Sequence, residues 1–318
     1  MAAARHCIEA SLAAFQARCP ATLAVVVAAE GSTYVKPGAM ALFDAAGRRS
    51  GWLSGGCLET EIAQRAEEAR QLGRGILMDI DTRGDDDLLS GSAVGCRGRL
   101  HLALLPLSLL PGWDALAQAW LARRGPLRLQ LDIDGALSAE VAGTRQAWPL
   151  SMASAHPLHA TLHVRIDLPP AVVLFGAGPE SEVLLPWLRQ LGWWTVLVEK
   201  RPHWTGQGAL ADVHLPATPT QALAGGLQAD AALVMHHHFE LDRETLDVLA
   251  AHPPSFIGLL GPRRRQQDLF QLLRPDQRQA LMPRLRSPVG LRLGGEGPEA
   301  IALSIAAQLQ RWHGEDDA

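Results

Sequence analysis

Tyrosine is nearly missing from this chain: Tyr34 is the single one among 318 residues. It stands in a loop rich in glycine and hydroxyl side chains, and no Tyr-x-x-x-Lys pair supports nicotinamide-dependent oxidoreduction. Cysteine is scarce too. The four present, Cys7, Cys19, Cys57 and Cys96, are too few for a disulfide framework in a chain this long. They read as reduced thiols of a cytoplasmic protein. No apolar run approaches the ~20 residues that a membrane-spanning helix needs. His6 and Glu9 interrupt the N-terminus, so no secretory signal is expected there. Basic charge is not in excess either: the formal net charge is −4, which argues against a general nucleic-acid binder. Internal repeats and long low-complexity tracts are absent.

What is there is a globular mixture, 47% hydrophobic and 19% charged, long enough for two domains. The pattern predicts a mixed α/β domain with a connector over 1–168 and a Rossmann-like, doubly wound parallel-sheet domain over 169–318. In the first, Ile8, Leu12 and Phe15 mark a helix that Pro20 ends. Valine-rich Thr22 to Ala29 reads as a buried strand, and Glu30 to Gly38 as a loop. Met40 to Phe43 and Gly75 to Asp81 read as strands. Ser54-Gly55-Gly56-Cys57-Leu58-Glu59 follows a tight turn into an amphipathic run, Leu58, Ile62, Ala66, Ala69 and Leu72, which places Cys57 in the first turn of a helix. Unpaired N–H groups there favour a thiolate. The residue is then either a reactive or ligating thiol or a small buried cysteine.

Asp85-Asp86-Asp87 reads as a solvated loop rather than a metal site, because the spacing matches no Ca²⁺ loop. Gly95-Cys96-Arg97-Gly98-Arg99 sets a second cysteine beside two guanidinium groups, which lower a thiol pKa and bind anions. Residues 106–168 are less readable. Trp113 to Arg123 suggests a helix, Leu127 to Ile133 and Leu158 to Ile166 suggest strands, and Gly135 to Ser154 looks loop-like.

After Pro169-Pro170 the reading sharpens. Strand Ala171 to Phe175, turn Gly176-Ala177-Gly178, a helix from Glu180 and strand Trp194 to Val198 make a βαβ unit. The first glycine permits the turn, the second admits a phosphate, and Ser181 holds the third fingerprint position. Glu199 stands where a ribose-binding acid belongs. Further strands at 212–215, 231–235 and 256–259 alternate with helices, and a last helix begins near Gly297. The ligand-binding edge of such a sheet lies outside the strand C-termini. His236-His237-His238 and Gly261-Pro262-Arg263-Arg264-Arg265 fall at that edge. Consecutive histidines cannot all face one point, so His236 and His238 read as crevice-lining residues or exposed loop. Arg263 and Arg264 sit in a helix's first turn against the dipole, an arrangement that an anion would stabilise.

Together these motifs resemble the XdhC/CoxI family of xanthine dehydrogenase accessory proteins. In the N-terminal half the likeness rests on Gly31-Ser32-Thr33, Lys36-Pro37-Gly38-Ala39, Ser54 to Glu59 and Gly95-Cys96-Arg97-Gly98. In the C-terminal half it rests on Gly176-Ala177-Gly178, the histidines, Ile257 to Gly261, Val289-Gly290-Leu291, Gly294 and Glu296 to Ala302. Residues 106–168 are not covered. The chain departs from the family pattern at Arg97, Pro179, Ser181, Met235 to His238 and Gly297.

The resemblance implies a chaperone, not a turnover enzyme. It would carry molybdenum cofactor of the molybdopterin type as cargo and insert the sulfurated form into apo xanthine dehydrogenase or a related molybdenum hydroxylase. A cysteine desulfurase is an implied partner, and a homodimer is left open. On this reading Cys57 and Cys96 are soft contacts for the molybdenum end, with Gly55, Gly56, Glu59 and Arg97 around them. Gly176, Gly178, Glu199, His236, His238, Gly261, Arg263 and Arg264 hold the phosphate or nucleotide end. The alternatives are an NAD(P)-dependent oxidoreductase, favoured by Glu199, and a nucleotide-responsive regulator.

Overall fold

The computed structural model of the chain describes residues 2–83, 97–150, 152–154 and 160–315. It divides into two compact units, Met1–Leu168 and Pro169–Ala318. The first runs α1 (Ala2–Gln16), β1 (Ala21–Gly31), β2 (Met40–Asp44), β3 (Arg49–Ser50), α2 (Glu59–Leu72), β4 (Gly75–Asp81), β5 (Gly98–Pro106), α3 (Trp113–Leu121), β6 (Leu127–Leu131), β7 (Leu137–Val141), β8 (Thr144–Trp148), β9 (Met152–Ser154) and β10 (Leu162–Ile166).

β1 is apolar on both faces, and the fold covers both. Leu23, Val25 and Val27 join Ile8 of α1, Trp113 and Trp120 of α3 and the second sheet in one core. Ala24 and Val26 face the other way, onto Ile62, Ala66 and Ala69 of α2. The Thr22 hydroxyl donates to the Ala66 carbonyl at 2.8 Å and ties that helix to the strand. The resulting six-stranded sheet has the order β3-β2-β1-β5-β4-β9. Its β1–β5 pairing shifts register between Val26 and Ala28, a bulge that bends β1 just before the Gly31 loop.

The second sheet is four-stranded and antiparallel, in the order β10-β6-β7-β8. It occupies much of the stretch expected to be loop. The β7–β8 hairpin turns on Ala142 and Gly143, both with positive φ (50° and 83°). Both central residues of a primed hairpin turn need that backbone conformation, and Ala-Gly is a weaker signal for it than Asn-Gly. Strand β8 is polar along its solvent side, which hid the alternation.

The second unit runs β11 (Ala171–Phe175), α4 (Pro179–Gln190), β12 (Trp194–Val198), β13 (Val213–Leu215), α5 (Pro219–Ala224), β14 (Ala231–Val234), α6 (Phe239–Leu249), β15 (Phe256–Leu259), α7 (Arg263–Gln271), α8 (Pro275–Leu281), β16 (Leu285–Arg286) and α9 (Gly297–Glu315). Its sheet is parallel throughout, in the order β13-β12-β11-β14-β15-β16. That is the doubly wound Rossmann order, as the sequence predicts. Val172, Leu174 and Leu233 pack under α4 and α9, while Val173, Phe175 and Val234 pack under α6 and α7. Strands covered on both faces read as short unbroken apolar runs.

Candidate functional site

In the N-terminal unit the glycine turn is built by one carboxylate. Glu59 opens α2, and its Oε1 accepts from the Leu53 N–H at 2.9 Å, the Ser54 N–H at 2.8 Å and the Ser54 hydroxyl at 3.0 Å. Arg49 Nη1 donates to the other oxygen at 3.2 Å. Ser54 Oγ in turn accepts from the Gly56 and Leu58 N–H groups at 3.1 and 3.3 Å. Ser54 and Glu59 are both buried, so the turn is clamped from beneath. Gly56 is at φ +113°, a backbone that side chains rarely adopt, and a Cβ on Gly55 would meet nothing within 4 Å.

This geometry corrects two expectations. Glu59 is no ligand contact: its carboxylate is consumed by backbone donors and Arg49. Cys57 is not in the first helical turn: Leu58 is the N-cap and α2 begins at Glu59. The Glu59 clamp holds the chain in its turn through Cys57. The cysteine is exposed, on the rim of a cleft lined also by Thr33, Tyr34, Ile80, Thr82 and Gly98. The enclosed space is about 20 Å³, roughly one water.

Gly98 lines the cleft. A Cβ there would lie 2.6 Å from the Ser32 carbonyl oxygen and 2.6 Å from Thr33 Cγ2. Its N–H donates to Thr82 Oγ1 at 3.1 Å. Three separated motifs, Gly31-Ser32-Thr33, Ser54 to Cys57 and Arg97-Gly98, thus meet at one place. Arg97 itself is exposed. Cys96, Gly95 and the Asp85 to Asp87 cluster lie outside the described residues. Cys7 is fully buried, and burial pushes its thiol pKa up, leaving it chemically quiet.

In the C-terminal unit the glycine turn is present but its donors are used internally. The Ala177 N–H donates to Glu199 Oε2 at 2.8 Å and the Gly178 N–H to Ser181 Oγ at 2.9 Å. Pro179 has no N–H to offer. A Cβ on Gly178 would lie 2.9 Å from Glu180 Oε2 and 3.1 Å from the His237 ring, and those two side chains pair at 3.1 Å. A carboxylate therefore fills the position over the turn where a phosphate was expected. Gly176 (φ +95°) serves close packing instead: a Cβ there would fall 2.4 Å from the His236 Cα.

Glu199 also departs from its expected role. It is buried, and it receives Ala177 together with the Arg201 N–H at 2.7 Å and Arg201 Nε at 3.0 Å. Those bonds hold it below the usual carboxylate range against the opposing effect of burial. Arg201, which the sequence reading missed, donates also to the carbonyls of His236 and Ala177, both at 2.9 Å. It laces together the C-terminal ends of β11, β12 and β14. The signal was available as an ion-pair spacing, Glu199-Lys200-Arg201, just after a strand.

The three histidines diverge. The His236 N–H donates to Asp242 Oδ1 at 3.1 Å, and its Nε2 lies 3.2 Å from Thr245 Oγ1. The Thr245 hydroxyl donates to the Leu241 carbonyl, so it accepts from His236, which carries its proton on Nε2. Nδ1 is buried and has no hydrogen-bond partner among the described residues. Burial, aided by Arg201, lowers the His236 pKa to about 4, so it stays neutral. The His238 side chain caps α6, accepting from the Leu241 N–H at 3.4 Å, so that the helix starts at Phe239. Among the described residues no group of three or more His, Cys, Asp or Glu side chains is placed to hold a metal ion.

The arginines divide. Arg265 pairs with buried Asp242 at 2.6 Å, though burial still pushes that carboxyl above its ordinary pKa. Arg263 and Arg264 are exposed and make no side-chain bond among the described residues. Gly261, at φ +123°, sets the backbone before them.

Two family models match this chain. One, described as the XdhC and CoxI family, covers residues 14–81, which include the Cys57 turn. The other, the XdhC Rossmann domain, covers residues 172–309. A protein of Bacillus subtilis (strain 168), described as a probable xanthine dehydrogenase subunit, is 30% identical over 309 residues, spanning 91% of this chain and 92% of that protein. An uncharacterized protein, YqeB, of Escherichia coli (strain K12) is 41% identical over 69 residues, 21% of this chain and 13% of that protein. Among solved structures, one described as a xanthine dehydrogenase from Bacillus halodurans superposes with a TM-score of 0.79 at 27% identity, covering 97% of this chain and 96% of that one. With relatives matched almost end to end and both halves recognised separately, the chain belongs to the XdhC and CoxI family.

Proposed function

We propose that this protein is a xanthine dehydrogenase accessory factor that carries molybdenum cofactor of the molybdopterin type and hands it to a molybdenum hydroxylase. It delivers cargo and does not turn over a substrate. The observation that carries this reading is Cys57, an exposed thiol on a turn that Glu59 clamps from beneath. A soft thiolate on a preset turn suits a molybdenum–sulfur centre. Gly55 and Gly56 keep bulk away from it, and Arg97, next in the chain to the cleft residue Gly98, carries a guanidinium that suits the negative charge of the cargo. The enclosed cleft of about 20 Å³ takes a single small group, so the pterin body rests at its mouth.

The same chemistry moves the phosphate end away from the Gly176–Gly178 turn, whose N–H groups already have acceptors. Arg263 and Arg264, exposed in the C-terminal unit, are guanidinium groups that an anion could engage. The nicotinamide-dependent reading loses its support, because Glu199 is buried in ion pairs and cannot meet a ribose without breaking them. Sulfuration of the cargo, with a cysteine desulfurase as donor, fits an exposed thiol and belongs to the same proposal.

Gel filtration of the purified protein with released cofactor tests it. Wild type is expected to retain molybdenum and pterin in the protein peak, and Cys57→Ser to lose most of both. Equal retention by wild type, Cys57→Ser and the Cys57→Ser/Cys96→Ser double variant removes the thiol site from the account.

A further inference from the structure

The four-stranded sheet lies in neither family-matched segment, which are residues 14–81 and 172–309, and nothing in the cargo site uses it. Its inner side is core. Its outer side carries two rows of polar side chains that run straight across the strands. Strand register sets Arg165 beside Arg128, Arg128 beside Glu140, and Glu140 beside Arg145. The next row is His163, Gln130 and Ser138. These side chains line a shallow groove of about 240 Å³.

The first row sets one like-charge pair beside two opposite-charge neighbours. Arg165 and Arg128 are directly opposed like charges, which weakens a sheet. Arg128 and Arg145 flank Glu140 on both sides, yet neither makes an ion pair with it, and Arg128, Arg145 and His163 make no side-chain bond among the described residues. Arg165 engages Asp167 through Nε at 2.6 Å, leaving its terminal nitrogens facing out. A surface that keeps guanidinium groups apart from an adjacent carboxylate is set up for groups brought from outside.

We propose that this outer face is a docking surface for an acidic, extended polypeptide segment of a partner protein. The order of charges, two arginines, a glutamate and an arginine, identifies the occupant. Guanidinium forks take carboxylates in paired hydrogen bonds. Glu140 between them needs a donor, and a polypeptide offers backbone N–H groups between its acidic side chains. A nucleic-acid strand offers an unbroken line of phosphates, which Glu140 repels. The His163, Gln130 and Ser138 row adds neutral donors and acceptors that match a peptide backbone.

The test is fluorescence anisotropy on the full chain at low ionic strength, where surface charge is least screened. The probes are a labelled peptide of alternating glutamate and serine and a labelled oligothymidylate of equal charge. Wild type is expected to bind the peptide more tightly than the oligonucleotide. The Arg128→Glu/Arg145→Glu variant is expected to lose at least about tenfold in peptide affinity, with an unchanged far-UV spectrum and melting midpoint. The single Arg145→Glu variant, on the outer strand β8, gives an intermediate loss and serves if the double variant folds poorly. No binding of the peptide to wild type, equal binding by wild type and variants, or tighter binding of the oligonucleotide each overturns the proposal.

Discussion

Gly98 and Gly55 look alike in sequence and sit in opposite environments. A methyl group on Gly98 would press into the Ser32 carbonyl, Thr33 and the Glu30 carbonyl, all within 2.7 Å, and these are mostly backbone. Gly98→Ala should therefore cost about 1–3 kcal/mol through overpacking, whereas Gly55→Ala, in open space, should stay within about 0.5 kcal/mol of wild type. Urea unfolding of the two variants side by side checks this. His236 gives a second residue-scale outcome. Its folded pKa of about 4 lies below the ordinary 6.5, so the unfolded chain takes up a proton that the folded chain refuses. Its stabilising contribution is present above pH 6.5 and is lost as pH falls toward 4. The loss is on the order of 3 kcal/mol at most. His236→Gln should flatten the pH dependence of the urea midpoint across that window relative to wild type, and an unchanged slope would contradict the assignment.

Arg201 acts at the scale of elements, because its guanidinium spans the ends of three strands. Arg201→Leu strands the buried Glu199 carboxylate without its partner and should cost about 3–5 kcal/mol. Arg201→Lys should recover little, since a point charge cannot reach Glu199 and two carbonyls at once. Urea midpoints for both variants provide the measurement. Elements also show why the chain was unevenly legible. The parallel sheet could be read because Ala171–Phe175, Ala231–Val234 and Phe256–Leu259 are covered on both faces and stay apolar throughout. Of the antiparallel sheet, β6 and β10 could be read, but the β7–β8 hairpin could not, because β8 (Thr144–Trp148) exposes most of its side chains and the hairpin turns on Ala-Gly. At the sites, glycine and cysteine positions were legible, since few residues tolerate those backbones. The carboxylates were not. Glu59 and Glu199 each read as a ligand contact, and each instead holds main-chain N–H groups, a distinction that spacing alone does not carry.

For the molecule as a whole, the two compact units differ in the chemistry they present. The N-terminal unit presents an accessible thiol on a rigid turn and, on its second sheet, a row of outward-facing arginines. The C-terminal unit has the Rossmann order with its glycine turn satisfied from within by Glu199 and Ser181, and Glu180 pairs with His237 beside it. No helix among the described residues is long and apolar enough to cross a membrane. The fold thus keeps the Rossmann scaffold while the turn's donors serve the protein itself, and in the proposed function the cargo chemistry rests on Cys57. The most direct measurement is the molybdenum and pterin content of the protein purified from a cofactor-producing host, wild type beside Cys57→Ser. The account predicts near-stoichiometric molybdenum with pterin in wild type and a loss of most of both in the variant at unchanged folding. Equal contents in the two proteins, or bound nicotinamide nucleotide in place of pterin, would contradict it.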